Sequence, residues 1–263
     1  MVTAVIVQAR LGSSRLPAKV LKPLGGATVL ESVLNRCRRI SGVDVVVCAV
    51  PNERESDAIA GIAGGTGATV FRGSPLDLLD RYFQAARAIG ANLVMRVTSD
   101  CPLIDPDVCA DVLALLRQTS ADYACNNMPP LWPHGLDCDA FSFDWLAKAA
   151  AKADAPYDRE HVTPWLRRNP EVHRVNLDGP GGGAERHRWT LDFPEDYAFF
   201  EALWQLLGDA AATVSTADLL GILAAHPEIV EINRHRIDER RLADTTAVAQ
   251  LRVPYPAAVS RNS

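Results

Sequence analysis

The stretch Met1–Lys19 reads MVTAVIVQARLGSSRLPAK, and the rest of the chain is organised around it. Its apolar run, Val2–Val7, predicts a buried strand, and the following loop carries three cations, two serines and a glycine between Arg10 and Lys19. Backbone N–H groups, hydroxyls and cations at the end of a strand suit the binding of phosphate. Open α/β sheets bind ligands at this edge. An ordinary loop with solvated basic side chains is the alternative.

Composition excludes some classes of protein. The chain has 263 residues, 48% of them apolar, and a net charge of −5. This length fits one large domain or two small ones. The acidic balance argues against a general nucleic-acid binder. No apolar run approaches the roughly eighteen residues that span a bilayer, so we expect no membrane segment, and the short N-terminal run is not typical of a signal peptide.

The cysteines show no CxxC pair and no metal-ligand spacing. We interpret them as buried free thiols of a cytoplasmic protein, with disulfides as the alternative. The six positions are Cys37, Cys48, Cys101, Cys109, Cys125 and Cys138.

Strand-like and helix-like segments alternate through the first half of the chain. A capping box of Thr28 and Glu31 begins a predicted helix over Thr28–Ile40, and the apolar run Asp44–Val50 predicts a strand buried on both faces. The further predicted elements are helix Glu53–Ala63, strand Ala68–Phe71, helix Pro75–Ile89, strand Asn92–Val97, helix Pro106–Gln118 and strand Asp122–Asn126. This alternation predicts an α/β fold with a right-handed, mostly parallel sheet and helices on both faces.

The second half of the chain does not continue this alternation. It begins with a predicted long loop rich in Pro, Trp and Gly over Asn126–Asp139. The predicted elements are helices Phe143–Lys152 and Tyr157–Arg168, strand Glu171–Leu177 in an antiparallel pair, strand His187–Leu191, and helices Pro194–Leu207 and Thr216–Ala225. We predict one domain over residues 1–239, with an insert-like subdomain over about 127–186. Residues 240–263 are predicted to form a polar, poorly ordered tail.

Two aspartates follow predicted strands. Asp100 comes directly after Asn92–Val97 and Thr98-Ser99, and Asp192 lies between a strand and a helix in LDFPEDY (191–197). Each carboxylate could simply cap the turn or helix that follows it. As a pair at one sheet edge, they suit Mg²⁺, which takes few carboxylates together with waters and phosphate oxygens.

Asp137 and Asp139 form a DxD pattern, which GT-A-type glycosyltransferases use to bind a metal and a nucleotide sugar. In those enzymes the pattern ends an inner strand of the nucleotide-binding sheet, where this chain has Ser99-Asp100. The context therefore argues against Asp137 and Asp139 as the main metal site.

His161 lies on a predicted helix together with Arg159, Glu160, Arg167 and Arg168. An imidazole there could act as acid or base, or hold a substrate carboxylate. A structural histidine on a half-buried helix is the alternative.

Several stretches, in order along the chain, resemble one enzyme family. Gln8–Lys19 resembles the signature that opens the CMP-sugar synthetases, the cytidylyltransferases of acylneuraminate and 3-deoxy-manno-octulosonate, and most resembles the branch called spore coat polysaccharide biosynthesis protein F. The later stretches are VFRGSPLDLLDRY (70–82), RVTSDCPLIDP (96–106), HGLDCDAFSF (134–143), REHVTPWLRRNP (159–170) and LDFPEDY (191–197). The resemblance implies a Rossmann-like fold of the nucleotide-diphospho-sugar transferase type, with a small antiparallel subdomain for dimerisation and the acceptor.

The resemblance also implies a reaction. CTP binds the opening loop, a hydroxyl of a small acidic sugar attacks the α-phosphate, and pyrophosphate leaves. Arg10, Arg15 and Lys19 are the implied catalytic residues, which position the triphosphate and offset its charge. The implied nucleotide-binding residues are Gln8, Ala9, Arg10, Gly12, Ser13, Ser14, Arg15, Lys19, Arg72, Gly73, Ser74 and Thr98.

By the same resemblance, Asp100 and Asp192 match the carboxylates that hold the metal, with Mg²⁺ as the expected ion. Asp137, Arg159 and His161 are candidates for binding the acceptor. A homodimer is also implied, formed through the segment 126–186. Its possible anchors are Trp132, Tyr157 and Trp165, and ordinary core packing is the alternative for these aromatic residues.

Departures from the family pattern leave the acceptor open. Thr98-Ser99-Asp100 stands where the acid-sugar synthetases have Gly-Asp preceded by a polar residue, and Phe193 follows Asp192 where many relatives have a polar or small residue. Three other functions stay open at this point. They are a sugar 1-phosphate nucleotidylyltransferase, a glycosyltransferase that uses Asp137 and Asp139, and a nucleotide-sensing domain without turnover.

Overall fold

Most of the strands join one mixed sheet in the computed structural model, which describes residues 1–244 and 248–255. In chain order the strands are β1 (Val2–Gln8), β2 (Pro23–Leu24), β3 (Ala27–Thr28), β4 (Val45–Pro51), β5 (Thr69–Gly73), β6 (Ala91–Thr98), β7 (Tyr123–Cys125), β8 (Asp139–Ser142), β9 (Arg174–Leu177) and β10 (Leu251–Val253). The order across the eight-stranded sheet is β10-β9-β7-β8-β6-β1-β4-β5. Within the described residues β8 alone runs antiparallel to its neighbours, and β2 and β3 form a separate antiparallel pair.

Helices cover both faces of the sheet. They are α1 (Val29–Cys37), α2 (Asp57–Gly65), α3 (Leu78–Ala88), α4 (Pro106–Thr119), α5 (Phe143–Lys152), α6 (Pro156–His161), α7 (Pro164–Arg168), α8 (Pro194–Leu207), α9 (Thr216–Ala225), α10 (Pro227–Glu231) and α11 (Glu239–Leu242). Short 3₁₀ turns cover Lys19–Leu21, Arg54–Ser56, Ala184–Arg186, Gly208–Ala212 and Arg234–Arg236.

The two faces of β1 enter two separate hydrophobic cores, because successive side chains of a strand point to opposite sides. Val5 and Val7 pack with residues of α1, α4, α8 and α9. Ala4 and Ile6 pack with residues of α3, α5 and α7. The strand is therefore buried on both faces, and its carboxyl end delivers the opening loop to the edge of the sheet.

The predicted fold class is confirmed, since the sheet is mostly parallel and flanked by helices. The predicted capping box of Thr28 and Glu31 is also present at the start of α1. All six cysteines lie in the described part of the chain and are buried and free, as predicted.

Three expectations for the second half were wrong. β9 pairs in parallel with β7 and β10 rather than in an antiparallel pair. His187–Leu191 is extended but joins no sheet, and only an isolated bridge links Arg188 to His134. The single helix predicted over Tyr157–Arg168 is divided into α6 and α7, because Val162 has a φ of +69° and Pro164 favours the start of a new helix.

The expected polar tail contains ordered elements. Three of the four residues of α11 lie within it, and β10 adds a strand to the edge of the sheet next to β9. Residues 245–247 and 256–263 lie outside the described part of the chain. Within the predicted subdomain of 127–186, β8 and β9 belong to the main sheet, and the domain boundaries stay a prediction. No helix of the described residues is long and apolar enough to cross a membrane.

Candidate active site

A large cleft opens at the carboxyl end of β1 and β6, with a volume of about 1260 Å³. The opening loop, the turn after β6, α6, α7 and the turn before α8 all contribute to its walls. Nine lysine and arginine side chains and five carboxylates are among the described residues that line it. The cleft is therefore locally basic although the chain as a whole is acidic, which favours an anionic ligand.

The opening loop is closed on itself by short-range contacts. Ala9 and Leu16 are buried, the Leu16 N–H donates to Ser13 Oγ at 3.3 Å, and the Ala18 N–H donates to the carbonyl of Leu11 at 3.4 Å. These contacts direct the polar side chains outward into the cleft. The predicted residues of this loop that line the cleft are Gln8, Ala9, Arg10, Gly12, Ser13, Ser14, Arg15 and Lys19.

Lys19 joins the two predicted metal carboxylates. Its Nζ donates to Asp100 Oδ2 at 2.6 Å and to Asp192 Oδ1 at 2.7 Å. Arg15 Nη2 also lies 3.1 Å from Asp192 Oδ1, and the Leu191 N–H donates to the carbonyl of Asp100 at 2.9 Å. Residues far apart in sequence thus form one compact centre.

The three groups of this centre hold one another in the charged form. Burial alone would raise the pKa of each carboxyl, but the Lys19 ammonium outweighs it, so the pKa of Asp100 is lowered and that of Asp192 falls to about 2. Burial alone would lower the pKa of Lys19, but the two carboxylates raise it overall. At neutral pH the centre is an ammonium between two carboxylates.

The turn that presents Asp192 is supported by a buried ion pair. Asp196 Oδ2 accepts from the backbone N–H groups of Asp192 and Phe193 at 2.9 and 3.0 Å. Arg188 binds both oxygens of Asp196 at 2.8 Å. Asn233 Nδ2 donates to Asp196 Oδ1 at 3.0 Å. Asp192 is therefore held by a network that leaves its own carboxylate facing the cleft.

Gly135 allows the loop before β8 to pack against the segment that leads to Asp192. The Trp189 N–H donates to the carbonyl of His134 at 2.7 Å. A Cβ on Gly135 would lie only 2.3 Å from the carbonyl oxygen of Trp189, and its φ is +121°. A residue with a side chain fits neither the space nor the backbone conformation.

Thr98 lines the cleft, but Arg72, Gly73 and Ser74 are not among the described residues that do so. Arg72 Nη2 pairs with Asp57 at 2.6 Å, and a Cβ on Gly73 would lie 2.9 Å from Arg81 Cγ. The Ser74 carbonyl accepts from Arg81, which itself lines the cleft. Arg81 therefore lies between Ser74 and the cleft, and the role of these three residues in nucleotide binding stays a prediction.

The three predicted acceptor residues all line the cleft. Asp137 accepts from Arg241 Nη2 at 2.6 Å. Arg159 Nε donates to Asp77 Oδ2 at 2.9 Å. The rings of His161 and Tyr157 pack at a tilt of 54° with their centres 4.4 Å apart, and burial lowers the pKa of His161, which favours its neutral form.

Asp139, the second residue of the DxD pattern, is a buried counter-ion. Its side chain is 1% exposed, and it pairs with Arg96 at 3.1 Å and with Arg167 at 2.8 Å. The Tyr123 hydroxyl donates to it as well. Because both carboxylate oxygens are engaged by arginines, Asp139 is poorly placed to bind a metal, as its sequence context indicates.

The aromatic residues expected at a dimer contact lie in different environments. Trp132 is fully buried, its Nε1 donates to the carbonyl of Leu177 at 3.0 Å, and it contacts Tyr255 edge to face. Trp165 packs against the core on the α3 face. Tyr157 is 64% exposed. Core packing therefore accounts for Trp132. The prediction that Trp132 could anchor a dimer contact was wrong, since its side chain is fully buried within one chain.

Sequence reasoning missed several arginines of the site. Arg96 had a signal, since a charged residue inside the apolar run NLVMRV is unusual for a buried strand. Arg188 and Arg241 had little signal, because their partners Asp196 and Asp137 become neighbours only through the fold.

The carboxylates are suited to holding a divalent cation with help from a ligand. In the described chain no three histidine, cysteine or acidic residues form a complete metal-binding group. Asp100 and Asp192 nevertheless share one positive charge, the Lys19 ammonium, between them. Two carboxylates at one edge of the cleft are a ligand set that suits an ion taking its remaining ligands from water and phosphate oxygens.

The cytidylyltransferase family model matches residues 4–213, most of the chain and every element of this centre. The chain belongs to the cytidylyltransferase family. It is therefore a transferase, a CTP-dependent nucleotidyltransferase.

Two full-length relatives of this cytidylyltransferase are about one third identical to it. The uncharacterized protein MJ1063 of Methanocaldococcus jannaschii is 32% identical over 230 residues, 87% of this chain and 93% of the relative. The spore coat polysaccharide biosynthesis protein SpsF of Bacillus subtilis is 31% identical over 229 residues, 85% of this chain and 94% of the relative.

Solved structures share the fold. A cytidylyltransferase from Leptospira borgpetersenii is 30% identical with a TM-score of 0.81, covering 88% of this chain and 97% of that one. A CMP:2-keto-3-deoxy-manno-octonic acid synthetase complexed with CTP is 17% identical with a TM-score of 0.62, covering 78% of this chain and 99% of that one. The second comparison concerns the fold alone.

Proposed function

We propose that the protein transfers CMP from CTP to a hydroxyl of a small acidic sugar and releases pyrophosphate. The observation that carries the proposal is the single cleft in which Arg10, Arg15 and Lys19 face Asp100 and Asp192. Cations and paired carboxylates together suit a triphosphate with a divalent ion. The name of the relative SpsF supports a role in surface polysaccharide biosynthesis.

In this mechanism the residues of the cleft position groups and balance charge. The acceptor hydroxyl loses its proton to water as its oxygen forms a bond to the α-phosphorus. The bond from the α-phosphorus to the oxygen that bridges the α- and β-phosphates breaks, and its electron pair leaves with pyrophosphate. Arg10 and Arg15 bind the β- and γ-phosphates, and Lys19 offsets the charge that develops on the leaving group. Loop N–H groups near Gly12 and Ser13 bring the backbone close to the phosphates.

Mg²⁺ is the divalent ion that we propose for Asp100 and Asp192, and it would act as a Lewis acid on the phosphate oxygens. The support for it is the pair of ionised carboxylates around one cation. We also propose a cytoplasmic location, for which the six buried free thiols give support.

The direct test is a screen of the four nucleoside triphosphates against a panel of sugar acids, measured by pyrophosphate release with Mg²⁺. We expect release with CTP and at least one acid, and none after chelation of the metal by EDTA. A panel of sugar 1-phosphates is the control for the alternative nucleotidylyltransferase. Release with a sugar 1-phosphate and with none of the acids would contradict the proposal.

We further propose a homodimer in which the cleft mouth lies near the second copy. Leu76 and Tyr157 both line the mouth of the cleft and are 91% and 64% exposed. Large apolar side chains that are exposed on the lining of one cleft are typical of contact surfaces. Light scattering at micromolar concentration is expected to give about 57 kDa, twice the chain mass of 28.5 kDa. A mass of one chain would contradict the dimer.

A further inference from the structure

The last helix of the described chain belongs to the cleft although it follows the span that matches the family, which ends at residue 213. Arg241, on α11, lines the cleft. Asp238 caps α11 by accepting from the backbone N–H groups of Arg240 and Arg241 at 3.0 and 3.2 Å. Glu239 pairs with Arg186 at 3.0 Å. The helix is thereby attached to the segment that leads to the metal carboxylates.

A short series of contacts connects Arg241 with the reaction centre. Arg241 binds Asp137. His134 precedes Asp137 by three residues in the same loop, and its Nδ1 lies 3.4 Å from Arg188 Nη1. Arg188 Nη2 in turn lies 3.5 Å from Asp192 Oδ2. Arg241 is therefore linked to Asp192 through the loop before β8 and Arg188, and it lines the same cleft as Asp100 and Asp192.

One nitrogen of the Arg241 guanidinium has no partner among the described residues. Nη2 is engaged by Asp137, whereas Nη1 is shielded from solvent and meets no hydrogen-bond acceptor among the described residues. A guanidinium keeps its charge in proteins, and a buried donor without an acceptor is unfavourable. Because Arg241 lines the cleft, an oxygen of a bound substrate would relieve this deficit once the guanidinium turns toward it.

The Asp137–Arg241 pair matches one class of acceptor. Its side chains are 23% and 15% exposed, so both reach the surface of the cleft. An arginine N–H next to an aspartate oxygen complements a carboxylate next to a hydroxyl, and charge-assisted bonds to a carboxylate are the stronger kind. A sugar 1-phosphate would place two negative charges beside Asp137, which disfavours it.

We propose that Arg241 determines acceptor specificity by donating to the carboxylate of the sugar acid, while Asp137 holds its guanidinium in place. This inference rests on the proposed function. It assigns the C-terminal part of the chain, outside the matched span, to acceptor recognition.

The test compares Arg241→Gln with Arg240→Gln, a matched control on the same helix whose side chain is exposed. The substrate is the sugar acid that gives the fastest pyrophosphate release with the unaltered protein. We expect Arg241→Gln to raise the KM for this acid roughly 10- to 100-fold, with kcat and the KM for CTP close to those of Arg240→Gln. Arg241→Lys, which keeps the charge, is expected to raise the KM for the acid less than Arg241→Gln does.

A second readout separates binding from a merely structural role. The unaltered protein is expected to prefer the acid over its neutral carboxamide, and Arg241→Gln is expected to lose this preference. Three outcomes for Arg241→Gln would overturn this inference and leave the proposed function standing. They are an unchanged KM for the acid, a retained preference for the acid over its carboxamide, and an equal rise in the KM for CTP. Failure of the unaltered protein to use any sugar acid would overturn the proposed function and this inference with it.

Discussion

Replacement of Asp100 by asparagine is expected to lower kcat/KM for pyrophosphate release roughly 10²–10³-fold, the loss typical when one charged group of a preorganised site is removed. Asn has the shape of Asp but not its charge. Lys19 would lose the charge of its partner at 2.6 Å, and Asp192 alone would supply a carboxylate to the cation. The measurement is pyrophosphate release from CTP over a series of Mg²⁺ concentrations, and we expect the concentration for half-maximal rate to rise.

The matched control is Asp107→Asn, an exposed aspartate in the first turn of the nearby helix α4. It removes the same charge without touching the cleft and is expected to keep the rate of the unaltered protein. If Asp100→Asn also kept its rate within about a factor of three, the assignment of Asp100 to the reaction centre would be wrong.

Asp139→Asn is expected to cost about 3–5 kcal/mol of unfolding free energy, as is usual when one partner of a buried ion pair is removed. Asp139 is the shared counter-ion of Arg96 and Arg167. Burial alone would raise its pKa, but the two arginines lower it, so it is ionised in the folded protein. Without it, two half-buried guanidinium groups would repel each other. The measurement is urea unfolding monitored by circular dichroism.

A surface pair of the same type provides the comparison. Asp57 pairs with Arg72 and its side chain is 66% exposed, so Asp57→Asn is expected to change the unfolding free energy by less than about 1 kcal/mol. Should Asp139→Asn fail to fold, Arg167→Met in the same chain is expected to recover part of the stability by removing one of the uncompensated charges. Equal effects of Asp139→Asn and Asp57→Asn would contradict the role of Asp139.

The edge of the sheet at which we propose that the nucleotide binds could be predicted from sequence, because short stretches of sequence indicate the residues that lie there. The apolar run of β1, the basic loop after it, and the aspartates after β6 and before α8 are all visible as short stretches. Parallel strands bring such loops to one edge. The structure accordingly joins Lys19 to Asp100 and Asp192, which are 81 and 173 residues away along the chain.

The rest depended on pairings that short stretches do not encode. The direction of β9 is set by its neighbours β7 and β10, and β10 lies in a region whose polarity resembles a tail. Arg241 contacts Asp137, which lies 104 residues away along the chain, so the sequence around one residue does not predict its contact with the other. The division between α6 and α7 did have a signal, since the residue before Pro164 is disfavoured in a helix.

Gly135 has a consequence for attempts to alter the acceptor by engineering. The loop before β8 is the natural segment to randomise, since it carries His134 and Asp137. A side chain at Gly135 would push this loop off the carbonyl of Trp189 and disturb the turn that carries Asp192, so acceptor range and catalytic competence would be lost together. Libraries built on this scaffold should keep Gly135 invariant and vary the positions on either side of it.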